Sequence, residues 1–225
     1  MGRWGSRLFK CDEDLDMAFS MATELGVSDR YWKHSMSAMV HQSDILAPPE
    51  AKARYQTPEY AVELADVIIP YIRDKLDTDD LGDRLFAASK AQETDEDDPR
   101  QETKYRTIIL GALIMRAGAK IKNEDLEHLR ALMPQINCSL RRSMSGDHGF
   151  RPPGRAQFLA ALDHYVPGVP RSFLEPSCGR IEADIGHRHL ICMRCRVATY
   201  CDEECQHAEV ESREHQKVCM CPERR

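Results

Sequence analysis

The chain has 225 residues, 42% hydrophobic and 30% charged, with a formal net charge of −6. Such a composition suits a soluble globular protein of one large domain, or a medium domain plus a small one, and argues against wholesale disorder. No block of Lys or Arg offers the basic face that phosphate binding needs, so nucleic acid is not an expected partner, and no apolar run approaches the 18 residues of a membrane span.

The opening Met-Gly-Arg-Trp-Gly-Ser lacks the apolar core of a secretory signal, so the expected compartment is the cytosol or the nucleus. It also fits the N-myristoylation pattern, but Trp4-Gly5 through Phe9 reads better as a segment built to pack. An acidic stretch, Asp12 to Asp16, then suits a helix N-terminus, where carboxylates meet the partial positive charge. Leu15, Ala18, Phe19, Ala22 and Leu25 recur at helical spacing and predict a buried face closed by Gly26. Residues 27–56 are expected to be irregular, with a break at Pro48-Pro49.

Thr57-Pro58-Glu59 is a helix start, a capping hydroxyl followed by a proline whose missing N–H costs nothing there. Ala61, Leu64, Ala65, Ile68, Ile69 and Ile72 continue one face, and Pro70 should kink the helix or end it near Ile69. A shorter helix is expected from Asp83 to about Ala91, and the polar, acidic run from Gln92 to Glu102 reads as a solvated loop. Tyr105 to Ala117 is the most apolar stretch and predicts a buried central helix ended by Gly118. Asn123 should cap a helix carrying Leu126, Leu129, Leu132 and Met133 and stopped by Pro134. A last helix, about Arg155 to Tyr165, should bury Phe158, Leu159 and Leu162, with Val166 to Pro170 as a stiff connector. The expected fold is therefore mainly α, a helical domain over residues 1–170 followed by a small cysteine-rich module over 175–219.

Seven of the nine cysteines fall between Cys178 and Cys221. In a reducing compartment such clustering points to metal rather than to disulfides. Cys178, Cys192, Cys195, Cys201, Cys205, His215 and Cys219 are spaced C-x13-C-x2-C-x5-C-x3-C-x9-H-x3-C. A C-x2-C knuckle turns both thiolates toward one ion. Residues at i and i+4, such as Cys201/Cys205 and His215/Cys219, share a helix face. Zinc takes four such ligands tetrahedrally, so these seven suit two ions with one ligand short of eight. Cys11, Cys138 and Cys221 are expected to have no metal role. Neither Asp163-His164 nor Gly146-Asp147-His148 reads as catalytic: the first suits a helix end and the second a turn.

At Cys192-x2-Cys195, Tyr200-Cys201, Cys205-Gln206 and His215-x3-Cys219 the sequence resembles the MYND zinc finger family. The resemblance covers about a fifth of the chain. It implies interleaved ligand pairs: one zinc on Cys192, Cys195, His215 and Cys219, the other on Cys178, Cys201, Cys205 and a fourth group. Where the family has an earlier cysteine this chain has Ser172-Phe173-Leu174-Glu175, which leaves Glu175, His187, His189 or water as the fourth donor. Val210 stands where the family has a tryptophan. The resemblance further implies an adaptor or regulatory protein, not an enzyme, whose finger binds short proline-containing segments of other proteins. The alternative it leaves is a SET-like lysine methyltransferase or other enzyme with an accessory finger. No cofactor-binding glycine loop or Asn-His-Ser-Cys-like run accompanies the finger.

Overall fold

The computed structural model describes residues 8–9, 11–26, 32–41, 49–55, 57–93, 102–136, 152–173, 190–191, 199–200, 203 and 206–207. The chain is mainly helical, as its periodicities predict. In order come α1 (Asp12–Glu24), a 3-10 turn (Met36–Met39), α2 (Pro49–Tyr55), α3 (Pro58–Glu63), a π turn (Leu64–Ile68), α4 (Ile69–Asp77), a 3-10 turn (Thr78–Asp80), α5 (Leu81–Gln92), α6 (Glu102–Ala117), α7 (Asn123–Leu132), a 3-10 turn (Met133–Gln135) and α8 (Pro152–Asp163). The stretch expected to be irregular thus holds a 3-10 turn and α2.

Helix α6 is the hub. Tyr105, Ile108 to Leu110, Ala112 to Met115 and Ala117 are all fully buried, and α1, α4, α5 and α7 pack around them. A helix apolar on nearly every side has no solvent face to spare, which is why it takes the centre. Gly111 sets its distance to α7: a Cβ there would lie 2.5 Å from Leu129 Cδ1. Gly118 then closes the helix at φ +70. Its N–H bonds Met115 O at 3.0 Å and Ala119 N–H bonds Ile114 O at 3.1 Å, the paired bonds of a Schellman stop.

On α1 the buried face is displaced from the predicted one. Phe19 is 77% exposed, whereas Asp14, Met17, Ala18, Met21 and Ala22 are buried. Asp14 explains the shift. Its carboxylate accepts Phe9 N–H at 2.8 Å and the Tyr105 hydroxyl at 2.7 Å. A polar side chain with two buried donors can sit inside, and helical spacing from Asp14 selects Met17, Ala18 and Met21 rather than Phe19. Cys11 is buried at the N-cap, its sulfur accepting Asp14 N–H at 3.3 Å.

Pro70 does not end its helix. A π turn precedes it, with Ile69 N–H reaching Leu64 O. The wider turn absorbs the extra room that the ring requires and the bond its nitrogen cannot donate, so α4 continues to Asp77. The same turn rotates the buried face: Tyr60, Ile68, Ile69 and Ile72 point inward while Ala61 and Ala65 are exposed. Thr57 caps α3 as expected, its hydroxyl oxygen accepting Tyr60 N–H at 3.1 Å. Asn123 does not cap α7: it is the first helical residue, and Lys122 occupies the cap position.

Ion pairs fasten the periphery. Lys90 meets the buried Asp125 at 2.5 Å between α5 and α7, and Arg106 meets Glu24 at 2.7 Å between α6 and α1. Arg130 meets Asp163 at 2.7 Å between α7 and α8. Asp163, the sequence neighbour of His164, therefore serves an inter-helix contact, and His164 is exposed. The packed body does not stop at Tyr165, because Arg171 and Phe173 are also buried.

Candidate metal centre

Within the cysteine-rich segment, β1 (Leu190–Ile191) and β2 (Thr199–Tyr200) form a short antiparallel ladder. Leu190 pairs with Tyr200 and Ile191 with Thr199. In sequence, Cys192 and Cys195 fall between the two strands, and Cys201 comes directly after Tyr200. Bringing the two arms of a C-x2-C turn together is what such a knuckle needs, and two rungs suffice when a metal supplies the remaining stability.

Tyr200 is fully buried, yet it lies outside the apolar cluster of the helical body. Glu203, Gln206 and His207 are helical. His207 is exposed and Gln206 half-buried.

The seven proposed ligands, Cys178, Cys192, Cys195, Cys201, Cys205, His215 and Cys219, lie outside the described residues, as do Glu175, His187, His189 and Val210. Among the described residues no cluster of three His, Cys, Asp or Glu side chains could hold a metal. The donor set itself fits zinc: thiolates and one imidazole, in fours, are the chemistry of closed structural sites. Ser172 and Phe173, in the stretch where the family has its earlier cysteine, belong to the helical body. Phe173 is buried there against Phe9 and Phe158.

Comparison with known families decides what the segment is. The MYND finger model matches residues 176–219. This segment is a MYND finger. The match begins at Pro176, two residues before Cys178, and ends on Cys219. MYND fingers bind zinc and mediate protein–protein interaction. Comparison with curated proteins finds no match, and neither does comparison with solved structures. Among the described residues no helix is long and apolar enough to cross a membrane.

The anchoring of residues 166–173 to the helical body escapes the sequence reading. Gly168 and prolines at 167 and 170 give that stretch the look of a spacer. The one signal pointing the other way is Phe173, a large aromatic placed immediately before the finger, where a solvated linker would not carry one.

Proposed function

We propose that this protein is a cytosolic or nuclear adaptor without catalytic activity, in which a helical body carries a MYND finger that binds short proline-containing segments of partner proteins. The observation that carries this reading is the ordered donor set Cys192, Cys195, His215 and Cys219 inside the 176–219 match. These four complete one tetrahedral zinc site. Cys178, Cys201 and Cys205 form a second site, with Glu175, His187, His189 or water as fourth donor. Zinc supplies what so small a core lacks, since structural zinc contributes about 10–16 kcal/mol in finger peptides. Once folded, the module offers a surface along which an extended peptide can lie. The helical packing of the body favours this reading over a SET-type methyltransferase, which is built from strands. The acidic net charge favours protein over nucleic acid as partner.

The test is fluorescence polarisation of the full chain against a panel of labelled proline-containing peptides, with zinc, with chelator and with Cys195→Ser. Binding that needs zinc and is lost in the variant is expected. Val210→Trp, which restores the aromatic typical of the family, should tighten it. Binding indifferent to zinc would overturn the reading.

A further inference from the structure

The chain that follows α8 is fastened to the body at several points between Gly168 and Phe173. Gly168 N–H donates to Gly118 O at 2.8 Å, and Arg171 N–H donates to Met115 O at 2.9 Å, so both bonds land on the C-terminal end of the central helix. Arg73 Nη1 reaches Gly168 O at 3.4 Å. Pro170 lies directly on Gly118, where an added Cβ would come within 2.9 Å of Pro170 N. Arg171 is only 1% exposed. Phe173 then places its ring 6.1 Å from Phe9 edge-on and 6.1 Å from Phe158 in a stack, joining the start of the chain to α8. Just four residues, 174–177, separate this anchored ring from Cys178. Five Cα steps reach at most about 18 Å.

We propose that Val166–Phe173 is a strap coupling the metal state of the finger to the stability of the helical body. The inference rests on the reading that the finger folds around zinc. Phe173 is the last residue of the body among those described, five positions before Cys178, and how firmly a segment docks at such a place depends on whether the residues beyond it are also held. With zinc bound, the chain beyond Phe173 is constrained within a few residues, so undocking the ring gains little conformational entropy. Without zinc the whole tail is free, and undocking gains more. Loss of metal therefore loosens Phe173 from Phe9 and Phe158 and weakens the body. By linkage the effect is reciprocal: a chain whose strap docks poorly must hold zinc less tightly in its finger.

The experiment uses the full chain, zinc-loaded and chelated, with helical melting measured by circular dichroism and zinc release by a colorimetric chelator. In wild type, chelation should lower the helical Tm by roughly 2–4 °C. Gly118→Ala drives a Cβ into Pro170 and also strains a backbone at φ +70, so it should lower the Tm of the loaded protein and shrink the chelation-dependent drop to less than half. It should also release zinc faster. Phe173→Leu, which keeps an apolar side chain and so preserves folding, should show the same changes in weaker form. A wild-type chain that binds zinc but melts indifferently to it overturns the strap alone. An undiminished drop in both variants overturns it too. A chain that binds no zinc overturns the finger reading and the strap with it.

Discussion

The helical body and the finger solve one problem with different materials. The body buries a continuous apolar cluster from Leu8 to Phe173 around α6, and burial of that kind scales with area removed from water. Between Pro176 and Cys219, Ile181, Ile185, Leu190, Ile191 and Tyr200 are too scattered to do the same, and in the proposed reading a few strong, directional zinc donors take the place of a core. Apolar packing is redundant, because removing one side chain leaves many contacts. Tetrahedral coordination is not, because a site with three ligands is a different site. The two regions should therefore respond to single substitutions in very different ways.

The largest effect is expected at Cys195. In the proposed assignment it belongs to the complete donor set, so Cys195→Ser should abolish zinc at that site, unfold residues 176–219 and end partner binding, at a cost of several kcal/mol out of the roughly 10–16 that such a site contributes. Most helical signal should survive at room temperature. Cys178→Ser strikes the set that lacks one family ligand and should only weaken binding. Native mass spectrometry, counting zinc in wild type and both variants, checks this. Stronger zinc loss from Cys178→Ser than from Cys195→Ser would show that the two sites are assigned the wrong way round.

A core substitution should do the converse. Leu113 is fully buried on α6, and Leu113→Ala removes apolar contacts and leaves a cavity, at a cost of about 2–5 kcal/mol. The helical melting point should fall, by roughly 2–4 °C for each kcal/mol, while zinc stoichiometry measured below that melting point stays at the wild-type value. Zinc loss in step with helix loss at all temperatures would mean that the two regions form one cooperative unit rather than two coupled ones.

Much of this division is legible in the sequence, and the departures have physical causes. The central helix can be read because Tyr105 to Ala117 is apolar beyond any surface helix. The finger can be read because ligand spacing is rigid chemistry. The face of α1 cannot, because hydrophobicity alone places Phe19 inside, whereas the decisive residue is an aspartate whose partners, Phe9 and Tyr105, are known only from the fold. Pro70 misleads because a π turn beside it is a local adjustment that periodicity does not encode. The strap is hidden because its anchoring uses backbone groups of Gly118 and Met115, and backbone hydrogen bonds leave no mark in side-chain identity.

The smallest effect concerns the rim where strap and body meet, and pH is the lever. Burial pushes the Tyr165 phenol above its ordinary range, the Asp77 carboxylate adds to the rise, and Arg171 opposes it. The hydroxyl donates to Ala119 O, two residues past the end of α6. A phenol whose folded pKa is raised favours folding while neutral. Its contribution is therefore complete below the ordinary phenol pKa of about 10 and is lost as pH rises from there toward the folded value. At neutral pH, Tyr165→Phe should cost only about 1 kcal/mol, the net worth of one hydrogen bond. Above pH of about 10 wild type must carry a buried phenolate or unfold locally to ionise, whereas the variant has nothing to titrate. The stability gap between them should narrow by at most roughly 1.4 kcal/mol per pH unit. Paired melts of the two proteins across that range measure the gap directly. A constant gap from neutral to alkaline pH would mean that Tyr165 ionises as freely folded as unfolded, and that the rim under the strap is wetter than its burial implies.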